Sequence, residues 1–482
     1  MRICYVASEV VPFAKTGGLA DVSGALPKYV AAAGHDVRVV MPAYKSIAWA
    51  THGIAHVPGM ERLSIELGGE TIVFGIATTT LPGSNVPVFF VDCPRFFHRD
   101  AIYTDSADEY LRFALLCRAT IELCQRTQWA PDVFHCHDWQ TALIPLLLRT
   151  QYAWDRLFAG ARTVLTIHNI GYQGIFPSSA IDALGLGGWR QMFHQDDIRA
   201  GIVNYLKTGI LYADVLTTVS VTYAREIQTP EYGSGLHSIL RSRSGALVGI
   251  VNGVDYDEWS PEKDRHIPHR FSADDLSGKE LDKRALLETL GLHYDPNVPV
   301  LGIVSRLTAQ KGFDLLPDAL GPVIQAHHVR VAVLGSGETR YERFFERLQA
   351  SSGGKLTFYK GFSNELAHLI EAGSDICLMP SHYEPCGLNQ IYSLRYGTVP
   401  VVRRTGGLAD TVQQYDPATA RGNGFVFERY EASALRRSIE GAIAAFHQKP
   451  HWRRIVRNAM AADWSWEHQV KEYLRLFERL AR

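Results

Sequence analysis

Short apolar and β-branched runs alternate with amphipathic stretches along the whole chain. Most of these runs are continuously apolar rather than alternating, which is typical of parallel strands covered by helices on both faces. The pattern therefore predicts an α/β protein with two doubly wound, Rossmann-like domains. The predicted strands are 3–7, 37–41, 86–91, 133–135, 163–167 and 215–219 in the first half, and 300–305, 329–334, 356–359, 376–379 and 399–402 in the second.

A chain of 482 residues is too long for one hydrophobic core, which favours two domains. We place the hinge near residue 250, because 249–255 (Gly-Ile-Val-Asn-Gly-Val-Asp) reads as a strand that runs into a turn. The predicted domains are 1–250 and 251–463. The last stretch, 464–482, is amphipathic and helical, and a tail of this kind can pack back onto the first domain.

Charge and cysteine content narrow the class of protein. The net charge of −1 provides no long-range attraction to nucleic acid or to an anionic membrane, so neither is an expected partner. No apolar run reaches membrane-spanning length. The seven cysteines are scattered and form no C-x-x-C pair, which indicates reduced thiols in a cytoplasmic enzyme.

One hexapeptide, Thr-Gly-Gly-Leu-Ala-Asp, occurs at both 16–21 and 405–410, each time after a basic residue, Lys15 or Arg404. A Gly-Gly pair between strand and helix lets the backbone approach a ligand and leaves the first helical N–H groups free for an anion. A single copy would be read as an ordinary tight turn, but two identical copies favour phosphate binding. Neither copy matches the NTPase loop, and Gly-Ser-Gly-Glu at 335–338 is only a fragment of the dinucleotide motif.

Several chemically rich segments follow predicted strands, and ligands of doubly wound sheets bind at the carboxyl ends of strands. We therefore expect them to line one cleft between the two domains. The segments are 8–19, 135–140, 168–174, 305–311, 381–387 and 403–407.

Two of these segments carry charges suited to transfer chemistry. Arg306 and Lys311 can hold a diphosphate and neutralise it as it leaves, although a solvated basic loop is the alternative. Glu384 stands at a turn set by Pro385 and Gly387, where a carboxylate can bind sugar hydroxyls or stabilise positive charge at an anomeric carbon. Glu384 could equally complement a helix dipole, and both roles are compatible.

The sequence His-Cys-His-Asp at 135–138 contains residue types that bind zinc. Alternation along a strand puts only His135 and His137 on one face, and no second ligand cluster follows, so we disfavour a metal site. Asp138, just past the strand, is the better functional candidate. His168 at the next strand end is as readily structural as it is a substrate contact. Cys386 lacks the partners of a nucleophile.

Seven motifs together resemble those of bacterial glycogen synthases and plant starch synthases, and they span nearly the whole chain. They are Lys-Thr-Gly-Gly-Leu at 15–19, His-Asp-Trp-Gln at 137–140, Thr-Ile-His-Asn at 166–169, Val-Asn-Gly-Val-Asp at 251–255, Ser-Arg-Leu with Gln-Lys-Gly at 305–312, Glu-Pro-Cys-Gly at 384–387 and Arg-Thr-Gly-Gly-Leu-Ala-Asp at 404–410. The resemblance implies a GT-B fold with an interdomain cleft. It further implies a retaining glucosyltransferase that moves glucose from ADP-glucose to the non-reducing-end 4-hydroxyl of an α-1,4-glucan, without a metal ion or cofactor.

The resemblance also implies roles for individual residues. Lys15 and the Gly17 and Gly18 backbone would contact the diphosphate and the transferred glucose. Arg306 and Lys311 would stabilise the leaving ADP, assisted by the helix start at Thr405, Gly406 and Gly407. Glu384 would bind the donor glucose beside the backbone of Cys386 and Gly387. The glucose would be surrounded by Asp138, His168 and Asn252, with Asp21 and Asn169 as further substrate contacts, and Phe362 would stack on the adenine.

One position departs from the wider retaining GT-B pattern, in which a second glutamate follows the first after seven residues. Tyr392 occupies that position here, which excludes a carboxylate contact to the ribose.

Three other functions are alternatives: a sugar-nucleotide isomerase on the same fold, a silent glucan-binding protein and a phosphorylase. The intact charged set argues against a silent binding protein, because pure glucan binding needs no diphosphate site; it consists of Lys15, Arg306, Lys311 and Glu384. No lysine context suits the pyridoxal phosphate of a phosphorylase. The choice of ADP over UDP rests on the resemblance alone. Trp154, Tyr172 and Trp189 could bind glucan at the surface or belong to the core.

Overall fold

The structure is a computed structural model that describes residues 1–480. The chain forms two compact units. The first comprises Met1–Val219, Ala224–Gly253 and the chain from Gln469 onward. The second comprises Ser220–Tyr223 and Val254–His468.

The first unit is built on a ten-stranded sheet in the order β12-β11-β8-β7-β1-β2-β6-β5-β3, with β4 paired to β5. Pairing is parallel from β12 to β6 and antiparallel among β3, β4, β5 and β6. A separate antiparallel pair is formed by β9 and β10. The strands are β1 (Arg2–Val6), β2 (Asp36–Pro42), β3 (Ala55–His56), β4 (Leu63–Leu67), β5 (Glu70–Thr80), β6 (Pro87–Asp92), β7 (Val133–His137), β8 (Arg162–Ile167), β9 (Ile175–Pro177), β10 (Ile202–Asn204), β11 (Val215–Thr218) and β12 (Leu247–Gly249).

Helices connect these strands. They are α1 (Gly18–Ala32), α2 (Trp49–His52), α3 (Pro94–Phe97), α4 (Glu109–Arg126), α5 (Ile144–Arg149), α6 (Ala180–Ala183), α7 (Gln195–Arg199), α8 (Tyr205–Tyr212), α9 (Val221–Glu226) and α10 (His237–Ser242). The first part of α9, up to Tyr223, is assigned to the second unit. Short 3₁₀ helices cover Trp139–Thr141, Arg156–Phe158, Gly187–Met192 and Ser244–Ala246.

The second unit holds a six-stranded, fully parallel sheet in the order β15-β14-β13-β16-β17-β18. Its strands are β13 (Val300–Val304), β14 (Arg330–Gly335), β15 (Leu356–Lys360), β16 (Ile376–Met379), β17 (Val399–Arg403) and β18 (Phe425–Phe427). Its helices are α11 (Ser277–Thr289), α12 (Leu316–Ala326), α13 (Thr339–Ser351), α14 (Asn364–Gly373), α15 (Asn389–Arg395), α16 (Gly406–Thr411), α17 (Ala432–His447) and α18 (Lys449–Met460), with 3₁₀ turns at Ala309–Lys311 and Phe313–Leu315.

Both faces of this sheet are buried. Along β13, Leu301 and Ile303 belong to one hydrophobic cluster, whereas Val300 belongs to another on the opposite face. Along β14, Val331 and Ala332 divide between the clusters in the same way. Two covered faces explain why these strands read as continuous apolar runs.

The last helix, α19 (Trp466–Leu480), packs its C-terminal part within the first unit. The rings of Tyr473 and Phe477 lie 5.8 and 5.7 Å from the ring of His135 on β7. The predicted tail at 464–482 ends with residues 481–482, which lie outside the described residues. Among residues 1–480, no helix has the length and apolarity that a membrane crossing requires.

The prediction of two doubly wound α/β units is confirmed, and observed strand ends differ from the predicted ones by one or two residues at most ends. The antiparallel part of the first sheet is a correction, because the prediction contained parallel strands only. The β4–β5 hairpin turns through Gly68 and Gly69, whose φ angles are 71° and 79°. One face of β4 is solvated, so its residues alternate between buried and exposed, unlike those of the parallel strands.

Candidate active site

Within the second unit, the loops that follow β13 and β16 are fastened to each other. The N–H of His382 donates to the carbonyl of Gln310 at 2.8 Å. A Cβ on Gly312 would stand 2.0 Å from the carbonyl oxygen of Pro380, so only glycine allows the two backbones to approach this closely. Gly312 also has a φ of 75°, which glycine adopts without strain. The contact holds Lys311 and Glu384 at adjacent strand ends.

Lys311 and Glu384 form an ion pair. Nζ of Lys311 lies 2.6 Å from Oε2 of Glu384, and the hydroxyl of Ser381 donates to the same oxygen at 2.9 Å. Ser381 and Glu384 are buried, 1 % and 4 % exposed. Charge-assisted hydrogen bonds of this kind fix the orientation of a carboxylate. Ser381 lies in a segment that the sequence singled out, but its role was missed because a serine at a strand end carries no distinctive signal.

Arg306 follows β13 and is exposed, and among residues 1–480 its guanidinium has no ion-pair or hydrogen-bond partner. Its loop is held by the segment 335–338, because the N–H of Leu307 donates to Ser336 O and the N–H of Glu338 donates to Leu307 O, both at 2.8 Å. A Cβ on Gly337 would lie 2.4 Å from the carbonyl oxygen of Leu307. The Gly-Ser-Gly-Glu fragment is therefore the support of the Arg306 loop.

The second Gly-Gly pair packs against the loop that carries Glu384. The N–H of Gly407 donates to the carbonyls of Glu384 and Pro385 at 3.1 and 3.2 Å. Added Cβ atoms would lie 1.8 Å from Glu384 O at Gly406 and 2.0 Å from Cys386 O at Gly407. Contrary to the expectation of free N–H groups, this turn uses the N–H of Gly407 internally. Thr405 precedes α16 as its buried N-cap residue.

The backbone after Glu384 turns sharply. Gly387 has a φ of 70°, and the side-chain amide of Gln390 donates to the carbonyls of Cys386 and Gly387 at 3.0 and 2.9 Å. Cys386 is 5 % exposed. Tyr392 stacks on Trp259 with ring centroids 3.9 Å apart, so this side chain has a packing role.

Phe362 lies between β15 and α14 and is 81 % exposed. The next residue, Ser363, caps α14 by accepting a hydrogen bond from the N–H of Leu366 at 3.2 Å. Most of the Phe362 surface is exposed, so its ring is available to stack on a planar ligand.

In the first unit, the N–H groups of the first Gly-rich turn meet an internal carboxylate. Glu9 accepts hydrogen bonds from the backbone N–H of Thr16, from its hydroxyl at 2.7 Å and from the N–H of Gly17 at 3.2 Å. Lys15 pairs with Asp21 at 2.6 Å, and this pair is partly solvated. The amides of Thr16 and Gly17 are therefore not free, contrary to the prediction. Among residues 1–480 the N–H of Gly18 has no partner.

Asp138 joins the ends of β7 and β8. Its Oδ1 accepts hydrogen bonds from the N–H groups of His168 and Asn169 at 2.7 and 3.4 Å. Burial raises the pKa of the Asp138 carboxyl to about 7. Its backbone angles, φ 55° and ψ −171°, lie outside the left-handed helical region, in a conformation that residues other than glycine rarely adopt. The side-chain oxygen of Asn169 accepts from the N–H of Gly171 at 3.0 Å.

Three histidines lie together behind Asp138. Nδ1 of His137 is 2.9 Å from Nε2 of His168, and Nε2 of His135 is 2.8 Å from the hydroxyl of Thr166. Burial lowers the pKa of His135 and of His168 to about 3, and it lowers that of His137 well below its usual value. All three are therefore neutral near pH 7. Among residues 1–480 no group of three or more His, Cys, Asp or Glu is arranged to hold a metal ion.

Asn252 is 3 % exposed, and its Oδ1 is buried with no hydrogen-bond partner among residues 1–480. A buried amide oxygen is costly to leave unpaired, so a ligand group is a natural partner.

The predicted residues divide between the two units. The first unit contains Lys15, Gly17, Gly18 and Asp21 at one turn, Asp138, His168 and Asn169 at another, and Asn252. The second unit contains Arg306, Lys311, Glu384, Cys386, Gly387, Thr405, Gly406 and Gly407, with Phe362 exposed near the end of β15. Glu9 was missed although it follows β1 as a carboxylate at a strand end.

Two doubly wound units, with a paired lysine and carboxylate and a free arginine at strand ends of the second, define a glycosyltransferase of the GT-B class. Comparison with known proteins agrees. Residues 2–242 match the family model described as starch synthase catalytic domain, and residues 293–459 match that of glycosyl transferases group 1. The chain belongs to the glycogen synthase and starch synthase family of glycosyltransferases.

The similar proteins cover the chain from end to end. A glycogen synthase of Koribacter versatilis is 47 % identical, covering 99 % of this chain and 98 % of its own. Glycogen synthase 1 of Geobacter sulfurreducens is 45 % identical over 100 % of this chain and 97 % of its own. The catalytic domain of starch synthase IV from Arabidopsis thaliana, bound to ADP and acarbose, superposes with a TM-score of 0.92 at 33 % identity over 99 % of both chains.

Proposed function

We propose that this glycosyltransferase moves glucose from ADP-glucose to the 4-hydroxyl at the non-reducing end of an α-1,4-glucan, with retention of the anomeric configuration and without a metal ion. The observation that carries the proposal is the Lys311–Glu384 pair, with Arg306 five residues before Lys311 in the same loop after β13. The starch synthase with a TM-score of 0.92 to this chain binds ADP and acarbose, which supports the same donor and acceptor classes here. Seven buried, free cysteines support a reducing, cytoplasmic setting.

Arg306 and Lys311 are proposed to stabilise the diphosphate of the departing ADP. Lys311 is already in an ion pair with Glu384, whereas Arg306 has no acidic partner within residues 1–480, so its guanidinium is available for a phosphate. Cations aimed at the site where negative charge develops lower the barrier without reorganisation.

Glu384 is proposed to bind the donor glucose and to stabilise the oxocarbenium-like transition state. Its Oε2 is taken by Lys311 and Ser381, and this leaves Oε1 for sugar hydroxyls. Because both donors hold the carboxylate before substrate arrives, little orientational freedom is lost on binding.

The first unit is proposed to supply the remaining contacts to the glucose and the phosphates. Lys15 and the N–H of Gly18 would donate to phosphate oxygens. Neutral His168, held through Asp138, would donate a hydrogen bond without adding charge. The unpaired Oδ1 of Asn252 would accept one from a substrate hydroxyl.

The base is proposed to stack on Phe362. Phe362→Ala should raise KM for ADP-glucose up to about tenfold, whereas Phe362→Tyr should stay close to wild type, since an aromatic pair is worth roughly 0.5–1.5 kcal/mol. Tyr359→Ala, which removes another exposed aromatic side chain nearby, is the control.

The test of the proposal is transfer of radiolabelled glucose from ADP-glucose, beside UDP-glucose, into glycogen in the presence of EDTA. β-Amylase digestion then asks whether the label sits in α-1,4 linkage at the non-reducing end. We expect glycogen-dependent, β-amylase-releasable label from ADP-glucose. Donor conversion without glycogen would indicate an isomerase, and ADP binding without any conversion would indicate a silent binding protein.

Glu384→Gln provides the matched test of the site. Removing one preorganised electrostatic contact should lower kcat by about 10²–10³-fold while ADP binding changes little. Glu346→Gln, which removes an exposed carboxylate that pairs with Lys360 at 3.5 Å, should leave kcat unchanged. Near-normal kcat in Glu384→Gln would remove the role assigned to this carboxylate.

A further inference from the structure

The carboxylate of Glu9 occupies the position at which the first Gly-rich turn would receive an anion. It accepts hydrogen bonds from three groups of Thr16 and Gly17, as described above, and a fourth from the hydroxyl of Tyr103 at 2.5 Å. Tyr103 in turn lies 2.9 Å from the hydroxyl of Ser8. Glu9 thus links the turn after β1 to a segment more than eighty residues away in sequence.

Glu9 is buried, with 3 % of its surface exposed, and no basic side chain of residues 1–480 lies within ion-pair distance of it. Its charge is balanced by backbone N–H groups, two hydroxyls and the N-terminal end of α1, a helix of fifteen residues. Burial and the neighbouring Glu9 charge raise the pKa of Tyr103 well above its usual value, so Tyr103 stays protonated and keeps donating.

These contacts determine what the turn can offer to a ligand. Because Glu9 takes the N–H groups of Thr16 and Gly17, the first donor of the turn that stays available for a phosphate is the N–H of Gly18. Lys15 directly precedes the fixed Thr16, so its main-chain position is set by the same carboxylate.

We propose that Glu9 is a positioning residue for the transfer reaction: its carboxylate takes the place of an anion in the Gly-rich turn and thereby presents Lys15 and the N–H of Gly18 to the donor. This role rests on the proposed function of Lys15 and Gly18. A structural carboxylate alone would stabilise the fold without governing kcat.

The experiment compares Glu9→Ala and Glu9→Gln with the wild type. Glu66→Gln is the matched control, because Glu66 also accepts a threonine hydroxyl, from Thr71, but on an exposed hairpin. The measurements are kcat with ADP-glucose and glycogen, with and without added acetate or chloride, ADP affinity, and amide hydrogen exchange of residues 15–19. Thermal unfolding reports whether each variant is folded.

We expect Glu9→Ala to lower kcat by about tenfold or more, a loss of roughly 1.4 kcal/mol of transition-state stabilisation. Acetate should restore several-fold of the loss by filling the vacated carboxylate position, whereas chloride should not. ADP affinity should stay within about threefold, because Arg306 and Lys311 lie in the other unit. Exchange of the Thr16 and Gly17 amides should accelerate in both variants, and Glu9→Gln, which fills the space, should resist rescue by acetate.

A folded Glu9→Ala variant with kcat near wild type would overturn the proposal, as would a loss of kcat that acetate does not restore. If Glu9→Ala does not fold, Glu9→Gln decides: slower transfer with faster amide exchange supports the role, and wild-type behaviour overturns it. If the wild type itself transfers no glucose, the proposed function fails separately. The exchange rates then still decide whether Glu9 holds the turn.

Discussion

Replacement of Asp138 by asparagine should stabilise the first unit, and more so at high pH than at low pH. The pKa of this carboxyl is raised from 3.8 to about 7. The folded protein therefore resists ionisation of Asp138, whereas the unfolded chain ionises freely above about pH 4. Asparagine has nearly the same size as aspartate and keeps the oxygen that accepts from the N–H of His168.

The magnitude follows from the shift in pKa. At about 1.36 kcal/mol per unit, a rise from 3.8 to about 7 costs the wild type roughly 4 kcal/mol once the group is ionised above pH 7. Because the side chain keeps some contact with solvent, we halve this figure to about 2 kcal/mol. Most of this destabilisation develops between pH 5 and pH 8. After the same halving, the wild type should lose about 1–1.5 kcal/mol over that range through Asp138.

The assay is urea unfolding of the wild type and Asp138→Asn at pH 5 and pH 8. The neighbouring histidines titrate in both proteins, so their contribution cancels when the two pH dependences are subtracted. Asp155→Asn is the control, since Asp155 is similarly half-buried at a 3₁₀-helix start and accepts from the N–H of Leu157 at 2.9 Å. Equal pH dependence in the wild type and Asp138→Asn would refute the reasoning. We expect Asp138→Asn to lose activity while it gains stability.

Two further perturbations test other parts of the structure. Gly337→Ala should displace the Arg306 loop and lower kcat at least tenfold, because the added Cβ would lie 2.4 Å from the carbonyl oxygen of Leu307. Gly321→Ala is the control, since a Cβ there would meet open space in α12 and should leave kcat unchanged. Unaltered kinetics of Gly337→Ala would contradict the role of Gly337 in holding the Arg306 loop. Between pH 7 and pH 5 the wild type should lose about 2 kcal/mol of stability through His135, because its pKa is about 3 in the folded protein and about 6.5 in the unfolded chain, so only the unfolded chain takes up the proton. His135→Gln should not show this loss. An unchanged difference in unfolding free energy between the two pH values would rule this out.

The fold was predictable where local pattern and tertiary environment agree. Strand β16 was predicted with its observed bounds, because a parallel strand buried on both faces must be apolar at every position. The β4–β5 hairpin was not predicted, although its Gly-Gly turn and alternating strand carry the usual signal. A half-solvated strand alternates buried and exposed residues and therefore forms no continuous apolar run.

For the site as well, single residues could be predicted from the sequence, whereas their contact could not. The motifs identified Lys311 and Glu384 individually, because strand ends of doubly wound sheets bind ligands whatever the sequence between them. Their ion pair joins residues seventy-three positions apart, and it requires the two loops to meet at Gly312 and Pro380.

The amino-acid sequence is enough to predict the α/β class, the strand ends that carry chemistry and the family to which the chain belongs, because those depend on residue type and local spacing. The hydrogen-bond partners of the N–H groups in the Gly-rich turns become visible only in the folded chain. The first turn meets Glu9, which is also bound by Tyr103, and the second meets the backbone of the Glu384 loop. A backbone N–H carries no residue-specific signal, so its partner is known only when the chain has brought distant segments together.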